Sequence, residues 1–335
     1  MISLDVDTII PILIMFALGF LICFLASPII MDKMKKWGVV GRDAHKIDHP
    51  LIPEMGGIAI VLGIVGSMIV GISLMKELRP ILTSFMLTVL IAGLIGVIDD
   101  IRPLNAKLKP FLTLFACIPI LVLNTYTPNI VFPFIGNTRL TVVYPLLIPI
   151  VMAVTSNAVN MMDPFNGVMS GTCVIITLAC LISAFILGRN EAIILSISLL
   201  GVLLAFYYYN RYPSRVFSGD VGSLSVGAAL GALAIIGRLE VVAVIAFMPQ
   251  IMNAFYGLSS VGKLYERREV ARPTTLLDDG RMMARNDRKA PLTLARFILA
   301  RGPIFEKEAV RVFLIVSMVS GALAVITAFL IEVTI

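Results

Sequence analysis

Charge is scarce in this 335-residue chain: Asp, Glu, Lys and Arg make up 14% of it, against roughly a quarter in an ordinary soluble domain. A soluble enzyme, a disordered segment and a nucleic-acid domain are all poor fits to that deficit. Cysteine is sparse too. Cys23, Cys117, Cys173 and Cys180 lie inside apolar runs without CxxC spacing, so they read as small buried residues and not as bridges or metal ligands. Only two histidines occur, His45 and His49, four residues apart in a loop with Asp and Pro and with no third ligand nearby, so no zinc site is expected. Internal repeats and low-complexity tracts are missing. No basic region precedes the first apolar run, which is too long for a cleavable signal and is expected to stay as a span. The net charge of +6 names no nucleic-acid partner, because surplus cations are ordinary in the cytoplasmic loops of membrane proteins.

What the chain has is apolar length. Hydrophobic residues make up 59% of it, and the mean hydropathy is +0.98. Runs of spanning length fall near 8–31, 54–75, 81–98, 109–124, 143–162, 168–187, 191–209, 222–237, 241–262 and 310–333. An all-α polytopic membrane protein of about ten transmembrane helices is therefore expected. Alternate loops differ sharply in cations: 32–53, 99–109, 163–167, 210–221 and 263–311 carry 22 Lys and Arg, the opposite set 5. The positive-inside rule puts the first set in the cytoplasm and both termini outside. Asp43, Glu54, Asp99, Asp100, Asp163, Asn166 and Asp220 all fall on or beside those loops, so any chemistry is expected on the cytoplasmic face. The expected organisation is one integral domain, 1–335, with a cytoplasmic insertion at about 263–309, helical around Leu292 to Leu299.

Four segments carry candidate chemistry. Asp99-Asp100 closes the third run, and paired carboxylates at a membrane boundary are costly unless a cation or substrate offsets them; a solvated helix end is the plainer alternative. Lys109 opens the next run and suits a phosphate as a point charge, or else snorkels with Lys107 to the interface. Asn157 and Asn160 share a helix face and need partners, either a ligand or a neighbouring helix, and Pro164 and Gly167 bound a turn that holds Asn166 at the membrane face. The segment Asn210 to Ser223 joins cations, glycines and Asp220. Asp220 with the Asn160 amide makes a minimal hard-oxygen set for Mg²⁺, unless Asp220 merely caps a helix. Arg267, Arg268, Arg272, Arg281 and Arg285 crowd the large loop and suit a diphosphate, or an anionic lipid surface.

Together these segments resemble the polyprenyl-phosphate N-acetylhexosamine-1-phosphate transferase family. The likeness runs in order through Asp43-Ala44-His45-Lys46, Ile52-Pro53-Glu54-Met55-Gly56-Gly57, Asp99-Asp100, Asn157 to Gly167, and Arg211 to Asp220. Tyr212-Pro213-Ser214-Arg215-Val216-Phe217, with Pro249-Gln250 and Asn253, looks like the dolichyl-phosphate N-acetylglucosamine-phosphotransferase branch of eukaryotes and archaea. The resemblance implies a cytoplasmic active site dependent on Mg²⁺, with Mn²⁺ as a substitute. Asn160 and Asp220 would match its metal ligands, Asp99 and Asp100 its paired acids, and Lys109 a phosphate contact. Glu54, Asn166 and Phe217 would lie around the nucleotide; Lys46, Arg272 and, less well placed, Arg268 and Arg281 would meet the diphosphate or sugar. Pro103 stands where the family often has another Asp or Asn, and the histidine-rich motif of bacterial relatives is missing from 263–309.

The implied reaction transfers N-acetylglucosamine 1-phosphate from UDP-GlcNAc to a polyprenyl or dolichyl phosphate and releases UMP. The prenyl chain would lie in a groove between helices. The resemblance also points to a homodimer and to an archaeal plasma membrane. Two alternatives stand beside it: a bacterial-type undecaprenyl-phosphate transferase using another UDP-sugar, and, from a different class, a secondary transporter. Polar residues gathered at one membrane face count against transport.

Overall fold

A computed structural model describes residues 6–265, 269–287 and 289–334. Arg267 and Arg268 lie outside them. The chain opens with α1 (Val6–Lys36), a hairpin of β1 (Val40–Arg42) and β2 (Leu51–Pro53), α2 (Gly57–Leu74) and α3 (Arg79–Ile101). Two short helices follow, α4 (Leu108–Leu114) and α5 (Ile118–Val122), then a hairpin of β3 (Asn129–Phe132) and β4 (Gly136–Arg139). The next helices are α6 (Val143–Met161), α7 (Val168–Ile186), α8 (Asn190–Asn210) and α9 (Gly219–Ile236). Next come α10 (Glu240–Ala246), α11 (Met248–Val261), a hairpin of β5 (Thr274–Leu276) and β6 (Met282–Ala284), α12 (Leu294–Ile298) and α13 (Glu306–Glu332).

Among the described residues eight helices are long and apolar enough to cross a membrane, or nine if the bent pair α10 and α11 is one span. Large apolar side chains such as Leu25, Ile69, Leu94, Ile182 and Leu323 stay exposed on them, which suits lipid and not water. Ten spans were expected, and two of those differ. The fourth is the apolar helical stretch Leu108–Val122; at about 1.5 Å per residue it falls short of the roughly 30 Å hydrocarbon core. The ninth bends by 63° at Phe247. Its cause is local: Pro249 has no N–H to return to the Ile245 carbonyl, and the Ser320 hydroxyl donates to that carbonyl instead, at 2.6 Å.

The centre of the bundle is α9, whose residues from Val221 to Ile236 are all buried. Small residues let its neighbours approach closely. A Cβ on Gly96 of α3 would run into the Val221 backbone, and one on Gly57 of α2 into Gly222. α6 and α8 close the remaining sides. Chain direction sets the ends: α3 and α6 finish, and α9 and α13 begin, at the same end of the bundle. Val6 and Thr334 lie at the other, because α1 runs beside α8 in the same direction, Phe24 against Tyr208, and Thr334 meets the β3–β4 hairpin at Phe134.

Candidate active site

Asp99, Asp100, Lys109, Asn160 and Asp220, separated by up to 121 positions, meet at one end of the bundle. The short loop after α3 folds back so that Asp99 accepts the Leu104 amide at 2.6 Å through one oxygen and pairs with Lys109 at 2.6 Å through the other. Lys109 reaches Asp220 as well, at 2.9 Å. Across from it the Asn160 amide donates to Asp220 and, at 2.8 Å, to the Ser223 hydroxyl. The chain enters α9 through Gly219 at φ +67°, a left-handed conformation that costs glycine little. That entry presents the amides of Asp220 and Val221 to Asp100, which accepts both, at 2.8 and 3.0 Å. Asp100 thus caps the helix that carries Asp220, while Asp99 faces the lysine.

The two asparagines expected on one face divide their tasks. Asn160 reaches Asp220, whereas Asn157 donates to the Thr113 hydroxyl at 2.9 Å and the Ala153 carbonyl at 2.8 Å, joining α6 to α4. Asn253 is likewise a joint: it donates to the Met161 carbonyl and accepts the Leu294 amide.

The floor of the site comes from two loops that read as unrelated in sequence. Phe217 donates its amide to the Pro53 carbonyl at 2.8 Å, and Gly56 donates back to the Phe217 carbonyl at 2.9 Å. This pairing brings the segment that carries Glu54 against the half-buried Phe217.

At the same end lies a second polar group. The buried Asn166 donates to Asp43 at 2.9 Å, and its backbone amide donates to Glu306, the first residue of α13, at 3.0 Å. Lys46 pairs with Asp43, lies 3.8 Å from Glu306 and stands over the Tyr212 ring at 5.2 Å. Burial opposes ionisation of Asp43, but the Lys46 and Asn166 hydrogen bonds together hold its carboxyl below the ordinary carboxylate range. His45 joins Asp43 and Glu306, their three ligand atoms lying within 4.8 Å of one another. This Asp/His/Glu cluster, buried except for the half-buried His45, has the spacing to hold a divalent cation. The third ligand that His45 lacks locally in the sequence is supplied by Glu306, a carboxylate opening an apolar helix; that opening position was its one local signal.

The basic loop divides. Arg272 lines a cavity of about 250 Å³ with His45, His49, Thr274 and Arg285. Arg281 instead pairs with Asp279 at 2.6 Å on an exposed turn, and no contact among the described residues joins it to the carboxylates.

Comparison with known proteins bears on this geometry. "Glycosyl transferase family 4" matches residues 82–238, from α3 to the end of α9. A Methanocaldococcus jannaschii protein assigned as a glycosyltransferase is 29% identical over 317 residues, 93% of this chain and 95% of its own. A Sulfolobus acidocaldarius protein assigned as a UDP-N-acetylglucosamine--dolichyl-phosphate N-acetylglucosaminephosphotransferase is 28% identical over 72% of this chain and 76% of its own. The phospho-N-acetylmuramoyl-pentapeptide-transferase of Bacillus subtilis is 32% identical over 68% of this chain and 76% of its own. The chain belongs to the polyprenyl-phosphate N-acetylhexosamine-1-phosphate transferase family. It is a membrane-embedded phosphotransferase of a family that moves a sugar 1-phosphate onto a polyprenyl phosphate, and the transporter alternative falls away.

Within this transferase the asparagines should separate in a mutant pair. Asn157→Ala is expected to lower the melting temperature by about 2–4 °C, the loss of roughly one net hydrogen bond, with transfer activity retained. Asn160→Ala, which leaves Asp220 held by Lys109, is expected to lower turnover about 10–100-fold. Thermal unfolding and sugar-1-phosphate transfer by the two variants check this, and equal activity losses would refute the division.

Proposed function

We propose that this enzyme transfers N-acetylglucosamine 1-phosphate from UDP-GlcNAc to a dolichyl-type polyprenyl phosphate, releasing UMP, as the first membrane step of lipid-linked glycan assembly. The observation that carries it is the convergence of Asp99, Lys109, Asn160 and Asp220 at one end of a lipid-facing bundle. The Sulfolobus acidocaldarius and Saccharolobus solfataricus relatives and the Tyr-Pro-Ser-Arg-Val-Phe segment favour GlcNAc and dolichol.

In the reaction an oxygen of the acceptor phosphate attacks the sugar-linked phosphorus. The new P–O bond forms as the bond to the uridine-linked phosphate breaks, and UMP leaves with that electron pair. Lys109 stabilises the charge on the phosphoryl oxygens as a fixed cation. Asp99, with one oxygen on the Leu104 amide and the other on Lys109, orients that lysine toward the reacting phosphates. Asp100 works through the helix it caps. Glu54, Asn166 and Phe217 form the nucleotide side, and Lys46 and Arg272 the diphosphate and sugar side.

The donor set fits a magnesium ion. Asp99, Asp100 and Asp220 bring three carboxylates against the single ammonium of Lys109, a surplus a divalent cation offsets, and all their donors are hard oxygens. Asp220 and Asn160 would hold it, and it would supply Lewis-acid polarisation of the phosphoryl oxygens. The nitrogen of His45 makes the Asp43/His45/Glu306 cluster better suited to a softer ion. We place the active site on the cytoplasmic face of an archaeal plasma membrane, with both termini outside, in a single integral domain that assembles as a homodimer.

The test is UMP release by purified protein in detergent, with dolichyl phosphate, Mg²⁺ and UDP-GlcNAc. Lipid-dependent release that EDTA abolishes is expected. The Bacillus relatives favour a second reading, an undecaprenyl carrier with another UDP-sugar, which a higher rate on exchanging both substrates would select. Release with neither substrate pair, from folded protein, would sink the proposal.

A further inference from the structure

Opposite the carboxylates, the other end of the bundle gathers charge that phosphotransfer does not use. Arg189 lies in the turn between α7 and α8 and Arg238 in the turn between α9 and α10, and both line a cavity of about 10 Å³ with Glu240, Val131, Leu239 and Ile331. The Nε atoms of both arginines are buried and have no hydrogen-bond partner. A guanidinium N–H withdrawn from water without an acceptor is costly, so two in one cavity call for one. The carboxylate in the wall, Glu240, acts on both arginines through its charge, but one of its oxygens accepts the Tyr144 hydroxyl and neither meets an arginine Nε. Burial and the like charge of Arg238 lower the pKa of Arg189, as two cations crowded into a desolvated space should do.

The backbone makes the same point independently. Arg238 takes φ +55° just after the end of α9, a left-handed position where glycine is usual, although Gly237 stands next to it at φ −78°. The strained residue is the one whose side chain lines the cavity, a combination that accompanies ligand clamps.

We propose that Arg189 and Arg238 bind one small monovalent anion of the halide class between their Nε–H groups. Size selects it: the cavity has room for about one water-sized particle and is too small for a phosphate. Charge selects it as well, because two guanidinium groups against one carboxylate leave the cavity wall with a single positive charge. Glu191, which also acts on Arg189, opens α8 and is not part of the wall. The bound anion ties the α7–α8 turn to the α9–α10 turn, at the far end of the helix that carries Asp220.

The test uses the full-length protein in an uncharged detergent and reads binding, so it stands apart from the transferase assignment. The melting temperature is expected to rise saturably, by about 2–4 °C, when chloride or bromide replaces gluconate at constant ionic strength. Arg189→Gln and Arg238→Gln should each abolish that rise. Should either variant fail to fold, the wild type alone decides: the ³⁵Cl resonance should broaden with protein and sharpen again as bromide displaces chloride. Halide-independent melting with no broadening would mean that water alone fills the cavity, and would overturn the proposal. Stabilisation by inorganic phosphate or phosphatidylglycerol in place of halide would overturn it too, assigning the arginines to free phosphate or to a lipid headgroup.

Discussion

Asp220→Asn is expected to lower lipid-dependent UMP release by at least about 10³-fold and to leave the protein folded. The amide keeps the size of the side chain and can still accept from Asn160, and the α9 cap is untouched because Asp100 bonds the backbone of residue 220 and not its side chain. What is lost is one negative charge facing Lys109. Lys109 keeps its partner in Asp99, so no cation is stranded in the bundle. A change in melting temperature below about 2 °C beside the activity loss would separate chemistry from folding. More than a tenth of wild-type turnover would remove Asp220 from the reaction.

Asp100→Ala should fail differently. It removes both acceptors from the first amides of α9, at a cost of about 1–2 kcal/mol for a lost cap, so melting should fall by about 2–8 °C. Turnover should fall about 100-fold with it, because the helix end that positions Asp220 is loosened. Asp100→Asn retains one acceptor and should recover part of both. If Asn recovers the melting temperature and stays as inactive as Ala, Asp100 takes part in the chemistry and is not a positioning residue.

Helix positions were legible because lipid imposes a long apolar run, and the expected runs at 143–162, 168–187 and 191–209 differ from α6, α7 and α8 by no more than a residue at either end. Depth was less legible. Composition does not distinguish the 15 residues of Leu108–Val122 from a full span, and although Pro249 marks the bend at Phe247, the hydroxyl that takes up the freed Ile245 carbonyl comes from a helix more than 70 residues away. The candidate site residues stand out in the sequence as polar groups in places where polarity is expensive. Their assignments do not. Asp99 and Asp100 are chemically identical neighbours, and only the rotation of α3 turns one toward Lys109 and the other toward a helix end. Glu306 was missed because its partners Asn166 and Asp43 lie 140 and 263 positions away, joined through no local pattern. The three hairpins have strands of three or four residues, too short to impose a period on the sequence.

The burial of α9 limits where this enzyme can move. A helix pressed backbone to backbone against α2 and α3 cannot slide or turn without unseating them, so Asp220 behaves as a fixed post. Admission of substrate and release of product therefore fall to the rim, where the β1–β2 turn carries Lys46 and the segment before β5 carries Arg272. A stationary axle is thus set against a rim of short hairpins, and substitutions in the rim should alter the pace of entry and exit sooner than the chemistry.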